Sequence, residues 1–179
     1  MNKWFLVLIF ALLGLVSLPA ATVSILVIET GLPPGTTQTE SASVWESGIM
    51  DVCFDAGHIV SNAPAMVLPA VTAAVLPQEA QRDFDEARLG GADFFIMVLL
   101  RYAGAPAAAV PETSAEAVTE AAAETKQPKV VSIAVFRVSS GELLYETSVS
   151  AHIWGSSGEE FLDVKRNAGR ILPRLVLKG

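Results

Sequence analysis

Ala92 to Tyr102 reads ADFFIMVLLRY, and from Phe94 to Leu100 it is apolar at odd and even positions alike. Successive side chains of a strand point to opposite faces, so this pattern predicts a strand covered on both sides and central in its sheet. Upstream, Gly90 and Gly91 close a helix expected to begin near Pro77 or Gln78, with Ala80, Phe84 and Ala87 on its inner face. Downstream, Ala103 to Pro128 is dominated by Ala, Glu, Thr and Pro and almost lacks large apolar side chains. Such a segment cannot offset its ordering entropy by burial, so 103–128 is read as a disordered Ala/Glu-rich loop insertion.

Beyond the insertion, Val130 to Val138 (VVSIAVFRV) and Leu143 to Trp154 (LLYETSVSAHIW) flank Ser139 to Glu142, the pattern of a hairpin. In the second arm Leu143, Tyr145, Thr147, Val149, Ala151 and Ile153 share one face by period two, and Glu146, Ser148, Ser150 and His152 the wet one. Ser157 with Glu160 reads as a capping box for a last helix, with Phe161, Val164, Ala168, Ile171 or Leu172, and Leu175 inside. Pro173 is expected to kink or shorten it.

Toward the N-terminus, Thr22 to Thr30 (TVSILVIET) is a β-branched apolar run closed by Gly31, Pro33, Pro34 and Gly35, hence a buried strand. Polar residues 36–43 supply caps for a helix over Ser43 to Phe54, where Val44, Trp45, Ile49, Val52 and Cys53 recur at helical spacing. Gly57 suits the left-handed position after that helix, and His58 to Asn62 return as a short strand. The segment Ala63 to Pro77 is apolar but broken by Pro64, Pro69 and Pro77, which excludes one regular helix or a central strand. The fold expected is α+β: a mostly antiparallel sheet of four to five strands with three helices gathered on one face of it.

Residues 1–21 have the three-part layout of a secretion signal: Lys3, an apolar run from Trp4 to Val16, then Pro19 before small Ala20 and Ala21. Cleavage is expected after Ala20 or Ala21. The 13-residue run is short of the roughly 20 residues a membrane span needs, so no membrane insertion of the mature chain is expected. The product is then a single domain over 22–177, periplasmic or secreted, whose first strand starts almost at its N-terminus and must be held by pairing.

The formal net charge is −7, and −8 once Lys3 leaves with the leader. No Lys/Arg cluster is present to neutralise phosphates, so no nucleic acid is expected as a partner. The lone Cys53 cannot form an intramolecular disulfide and sits at a core-facing position, which reads as a small buried hydrophobe.

Three segments taken together, SILVIETG (Ser24 to Gly31), LGGADFFIMVLL (Leu89 to Leu100) and VFRVSSGELL (Val135 to Leu144), resemble the exported domain shared by the TolB N-terminal region and the CsgG and LpoB class of cell-envelope proteins. The resemblance implies a non-enzymatic module that docks onto another cell-envelope protein. The chain departs from the pattern in its Ala/Glu-rich insertion and in having no cysteine after the apolar run for lipidation.

No phosphate-cradling glycine loop or other cofactor signature is read, and no catalytic one. Asp51, Asp55, His58 and Asn62, spaced four, three and four apart, would line one face if a single helix carried them and could then hold a divalent metal. The alternative to a binding module is thus a small hydrolase or metal-dependent enzyme centred on Asp55, His58 and Ser61, with His58 as base and Ser61 as nucleophile. For a binding module the candidate surface is Met66, Val67, Leu68, Val71, Val75 and Leu76. Their proline-broken backbone either presents an apolar patch or covers a sheet edge.

Overall fold

Strand β4 (Phe94–Arg101) lies in the middle of a six-stranded sheet, where the doubly apolar pattern puts it, with Phe94 to Leu100 fully buried. The computed structural model describes residues 20–33, 35–69, 71, 75–103, 127–150 and 154–175. Residues 1–19 of the expected leader and 104–126 of the expected loop insertion lie outside the described residues.

In chain order the elements are β1 (Thr22–Thr30), α1 (Glu40–Asp55), β2 (Ile59–Asn62), β3 (Met66–Leu68), α2 (Gln81–Leu89) after a 3-10 turn over Gln78–Ala80, β4, β5 (Val130–Arg137), β6 (Glu142–Ser150) and α3 (Ser157–Ala168). Across the sheet the order is β2-β1-β4-β5-β6, and β3 continues the β2 edge along the second half of β1. The α+β class stands, and the sheet is mixed. β1 pairs in parallel with β2, β3 and β4, whereas β4/β5 and β5/β6 are antiparallel. A helix joins β1 to β2 and another joins β3 to β4, which lets the chain return in the same direction, whereas the β4-to-β5 connection and the β5/β6 hairpin each reverse it.

The helices occupy both faces rather than one. The first crossover runs from β1 outward to β2 and the second runs past β1 to β4; two crossovers of the same hand travelling in opposite directions put their helices on opposite sides. Val23, Ile25 and Val27 of β1 pack with Trp45, Ile49 and Cys53 of α1 and with Val164 and Ala168 of α3. The alternate residues Leu26 and Ile28 pack with Phe84 and Ala87 of α2. There Phe84 stands edge-on to Phe95 at 5.3 Å, a favoured aromatic geometry. α1 and α3 cross at Gly48, where a Cβ would come within 2.5 Å of Val164 Cγ1, so only glycine lets the helices approach this closely.

Local signals hold with small shifts. α1 starts at Glu40, capped by the Thr39 side chain, and ends with Gly57 at φ +85° while His58 N–H bonds Cys53 O, the expected left-handed stop. The last helix is capped one residue earlier than read: Ser156 Oγ accepts from Glu159 N–H, and Glu159 Oε2 accepts from Gly155 N–H. Pro173 sits in a separate 3-10 turn after the helix has closed at Gly169. A bulge opposite Val135/Phe136 inserts Leu144 into β6, so Leu143 faces away from Tyr145, Thr147 and Val149. A bulge shifts the alternation by one, which period-two reading cannot detect. Residues 151–153 of the expected arm lie outside the described residues. Cys53 is buried, and burial pushes its thiol up to about 11, so it is an inert packing residue.

Candidate functional site

The parallel half of the sheet has two ends. At the carboxyl end of β1, Glu29 is fully buried against the start of α1. Its Oε1 accepts from Thr39 Oγ1 at 2.5 Å and Tyr102 OH at 2.8 Å, and its Oε2 from Thr39 N–H at 3.1 Å. Burial, then the adjoining carboxylate, pushes the Tyr102 hydroxyl up, partly offset by Thr39, so it serves as a donor at any physiological pH. Beside this group Glu160 of α3 accepts from Trp45 Nε1 at 3.0 Å and Ser41 Oγ at 3.2 Å. Burial raises its carboxyl above the usual range, opposed by those two bonds. A helix N-terminus beside the carboxyl ends of parallel strands is the usual place for an anionic ligand. Here the chain's own Glu29 occupies it.

At the amino end of β1 the sheet and α2 stand apart. Thr22 and Ser24 replace the large side chains found farther along the same face, and Ala87 and Gly90 face them, so short side chains leave an open groove of about 220 Å³. Its polar lining is Thr22 and Ser24 of β1, Ser61 and Asn62 of β2, and Asp83 and Glu86 of α2. Burial and the neighbouring Glu86 both raise the Asp83 carboxyl, partly offset by Arg82. Ser24 is 5% exposed, and its hydroxyl has no hydrogen-bond partner among the described residues. The groove can therefore take hydrogen-bond donors and positive charge.

The residues of the enzymatic alternative do not assemble. His58 Nδ1 accepts from Ala21 N–H at 3.2 Å. Ser61 pairs with Ser24 and lines the groove on the α2 face, whereas Asp55 is exposed on the last turn of α1, which covers the other face. Nor do Asp51, Asp55, His58 and Asn62 share a helix face, because α1 ends at Asp55 and Asn62 belongs to β2, where its Nδ2 donates to Glu46. Among the described residues no three His, Cys, Asp or Glu side chains are grouped to hold a metal.

The proline-broken segment divides between the core and the surface. Met66 to Leu68 form β3 on the sheet edge, and Met66, Leu68, Val71 and Leu76 pack on the core under α2. Val67 and Val75 remain 38% and 66% exposed, and Ile59 at the start of β2 is 62% exposed on the groove's side of the sheet. Ile59 and the groove itself escaped sequence reading. Their signal, small polar residues at the first even positions of β1, becomes visible only once its partners are known.

Three solved structures are similar in fold. The PelC dodecamer from Paraburkholderia phytofirmans is 15% identical, with 89% of this chain and 90% of that chain covered and a TM-score of 0.44. The LpoB C-terminal domain from Salmonella enterica is 12% identical over 84% of this chain and 99% of that one, TM-score 0.37. Lipoprotein GNA1162 from Neisseria meningitidis is 11% identical over 86% and 99%, TM-score 0.37. No family model and no curated protein matches the sequence. Among the described residues no helix is long and apolar enough to cross a membrane.

Proposed function

We propose that the chain is an exported, non-enzymatic accessory module of the periplasm that binds another cell-envelope protein through the β2–β3 edge. The observation that carries this reading is the composition of that edge. Apolar Ile59 stands exposed on the side of the sheet that bears a groove whose polar groups are Ser24, Ser61, Asp83 and Glu86, and Val67 is exposed on the opposite side of the same edge. A partner segment with apolar side chains and a Lys or Arg would complement both features. The separation of Asp55, His58 and Ser61 favours binding over hydrolysis, since a base must reach the nucleophile it activates. The TolB and CsgG parts of the family resemblance belong to this reading as well.

The test is photo-cross-linking of the exported protein with a photoreactive residue at position 59 or 67. One discrete envelope-protein adduct is expected at both positions and none at Leu162, which is exposed on α3. Equal labelling at all three positions would defeat the docking face. A hydrolytic turnover abolished by Ser61→Ala would defeat the non-enzymatic reading.

A further inference from the structure

The two alanines at the end of the leader have different fates in the folded chain. Ala20 is exposed, whereas Ala21 is fully buried in the core under α1. The Ala21 carbonyl accepts from Ile59 N–H at 2.9 Å, and its own N–H donates to His58 Nδ1. The next N–H, that of Thr22, donates to Asp93 Oδ2 at 2.8 Å. Among the described residues, the first whose backbone is bonded into the fold is therefore Ala21, one before β1.

We propose that the leader is hydrolysed at the Ala20–Ala21 bond, so that the mature chain begins at Ala21 with its α-ammonium donating to His58 Nδ1. The proposal rests on the export reading and refines it to one bond. A leader peptidase adds water across that bond: the Ala20 carbonyl carbon gains the hydroxyl, the C–N bond breaks, and the Ala21 nitrogen leaves as an amine that takes up a proton. Cleavage one bond later would gain an ion pair between the Thr22 ammonium and Asp93. It would, however, remove a buried methyl, take the acceptor from Ile59 N–H and leave His58 Nδ1 without its donor, and each of these three losses destabilises. Scission precedes folding, because once Ala21 is buried the chain can no longer lie extended in a peptidase cleft.

The experiment is N-terminal sequencing and intact mass of the protein recovered from a periplasmic fraction. A first residue of Ala21 is expected. Thr22, or any other first residue after a cut, overturns the choice of bond and leaves the export reading standing, whereas an intact chain from Met1 overturns both. On the recovered protein, His58→Phe is expected to lower the melting temperature by roughly 3 °C and His58→Gln to restore part of it. No loss with Phe overturns the assignment of His58 as the acceptor of the new terminus.

Discussion

The carboxyl end of β1 and its amino end treat polar groups in opposite ways. At the carboxyl end, Glu29 is hydrogen-bonded to Thr39 and Tyr102, and Glu160 to Ser41 and Trp45, and all of these but the half-buried Thr39 are closed to solvent. At the amino end, Ser24, Ser61, Asp83 and Glu86 border an open groove, and the Ser24 hydroxyl has no hydrogen-bond partner among the described residues. Buried polar groups that satisfy one another stabilise and orient elements, while polar groups left with spare capacity at an opening are what a partner can use. The first end is thus structural and the second is the candidate interface, although both contain two acids.

The largest effect expected from this contrast is that of Glu29→Ala. It strips the acceptor from Tyr102 OH, Thr39 Oγ1 and Thr39 N–H together, and should cost about 3 kcal/mol or more in denaturant unfolding. A loss below about 1 kcal/mol would mean that water replaces the carboxylate and that this end is as open as the other.

A smaller effect is expected from Glu160→Gln, and it depends on pH. Burial raises the Glu160 carboxyl in the folded chain, so the folded state holds that proton more tightly than the unfolded one. Its favourable contribution is complete below the unfolded value of about 4.3 and is lost as pH rises through the raised folded value. Glutamine, neutral throughout, keeps an acceptor for Trp45 and removes that slope. The variant should therefore gain on the parent between pH 4 and pH 7 in a series of denaturation midpoints. A constant difference would show that Glu160 is solvated.

The smallest effects belong to the groove. Asp83→Asn removes the repulsion with Glu86, and Ser24→Ala removes a hydroxyl with no partner among the described residues, so each should change stability by no more than about 0.5 kcal/mol. Both should nevertheless weaken cross-linking from position 59 while leaving the fold's circular dichroism unchanged. A loss from Ser24→Ala on the scale of Glu29→Ala would erase the distinction between the two ends.

Much of this molecule could be read locally. The unbroken apolar run of β4, the Gly57 stop of α1 and the hairpin tip with Gly141 at φ +70° each depend on neighbours a few residues away, and each stands where it was expected. The capping pair of α3 was misplaced by one residue because Ser156 and Ser157 offer the same chemistry. The bulge at Leu144 was missed because it belongs to a pairing, not to a strand. In the candidate surface, Met66 and Val67 are equally apolar on paper, yet Met66 joins the core and Val67 faces out, since the parallel register with Ile28 and Glu29 assigns their sides.

The amino-acid order by itself determined most of the strands and helices to within a few residues, β3 excepted, and that a short, doubly apolar strand must lie in the middle, because these follow from periodicity and backbone chemistry within a few residues. Only the tertiary structure decided that β1 pairs in parallel on both sides, that the helices divide between the faces, that Glu29 is satisfied and Ser24 is not, and that Ala21 belongs to the core. Those outcomes depend on contacts between residues as far apart as Ser41 and Glu160, and a linear pattern carries no record of which distant surfaces will meet.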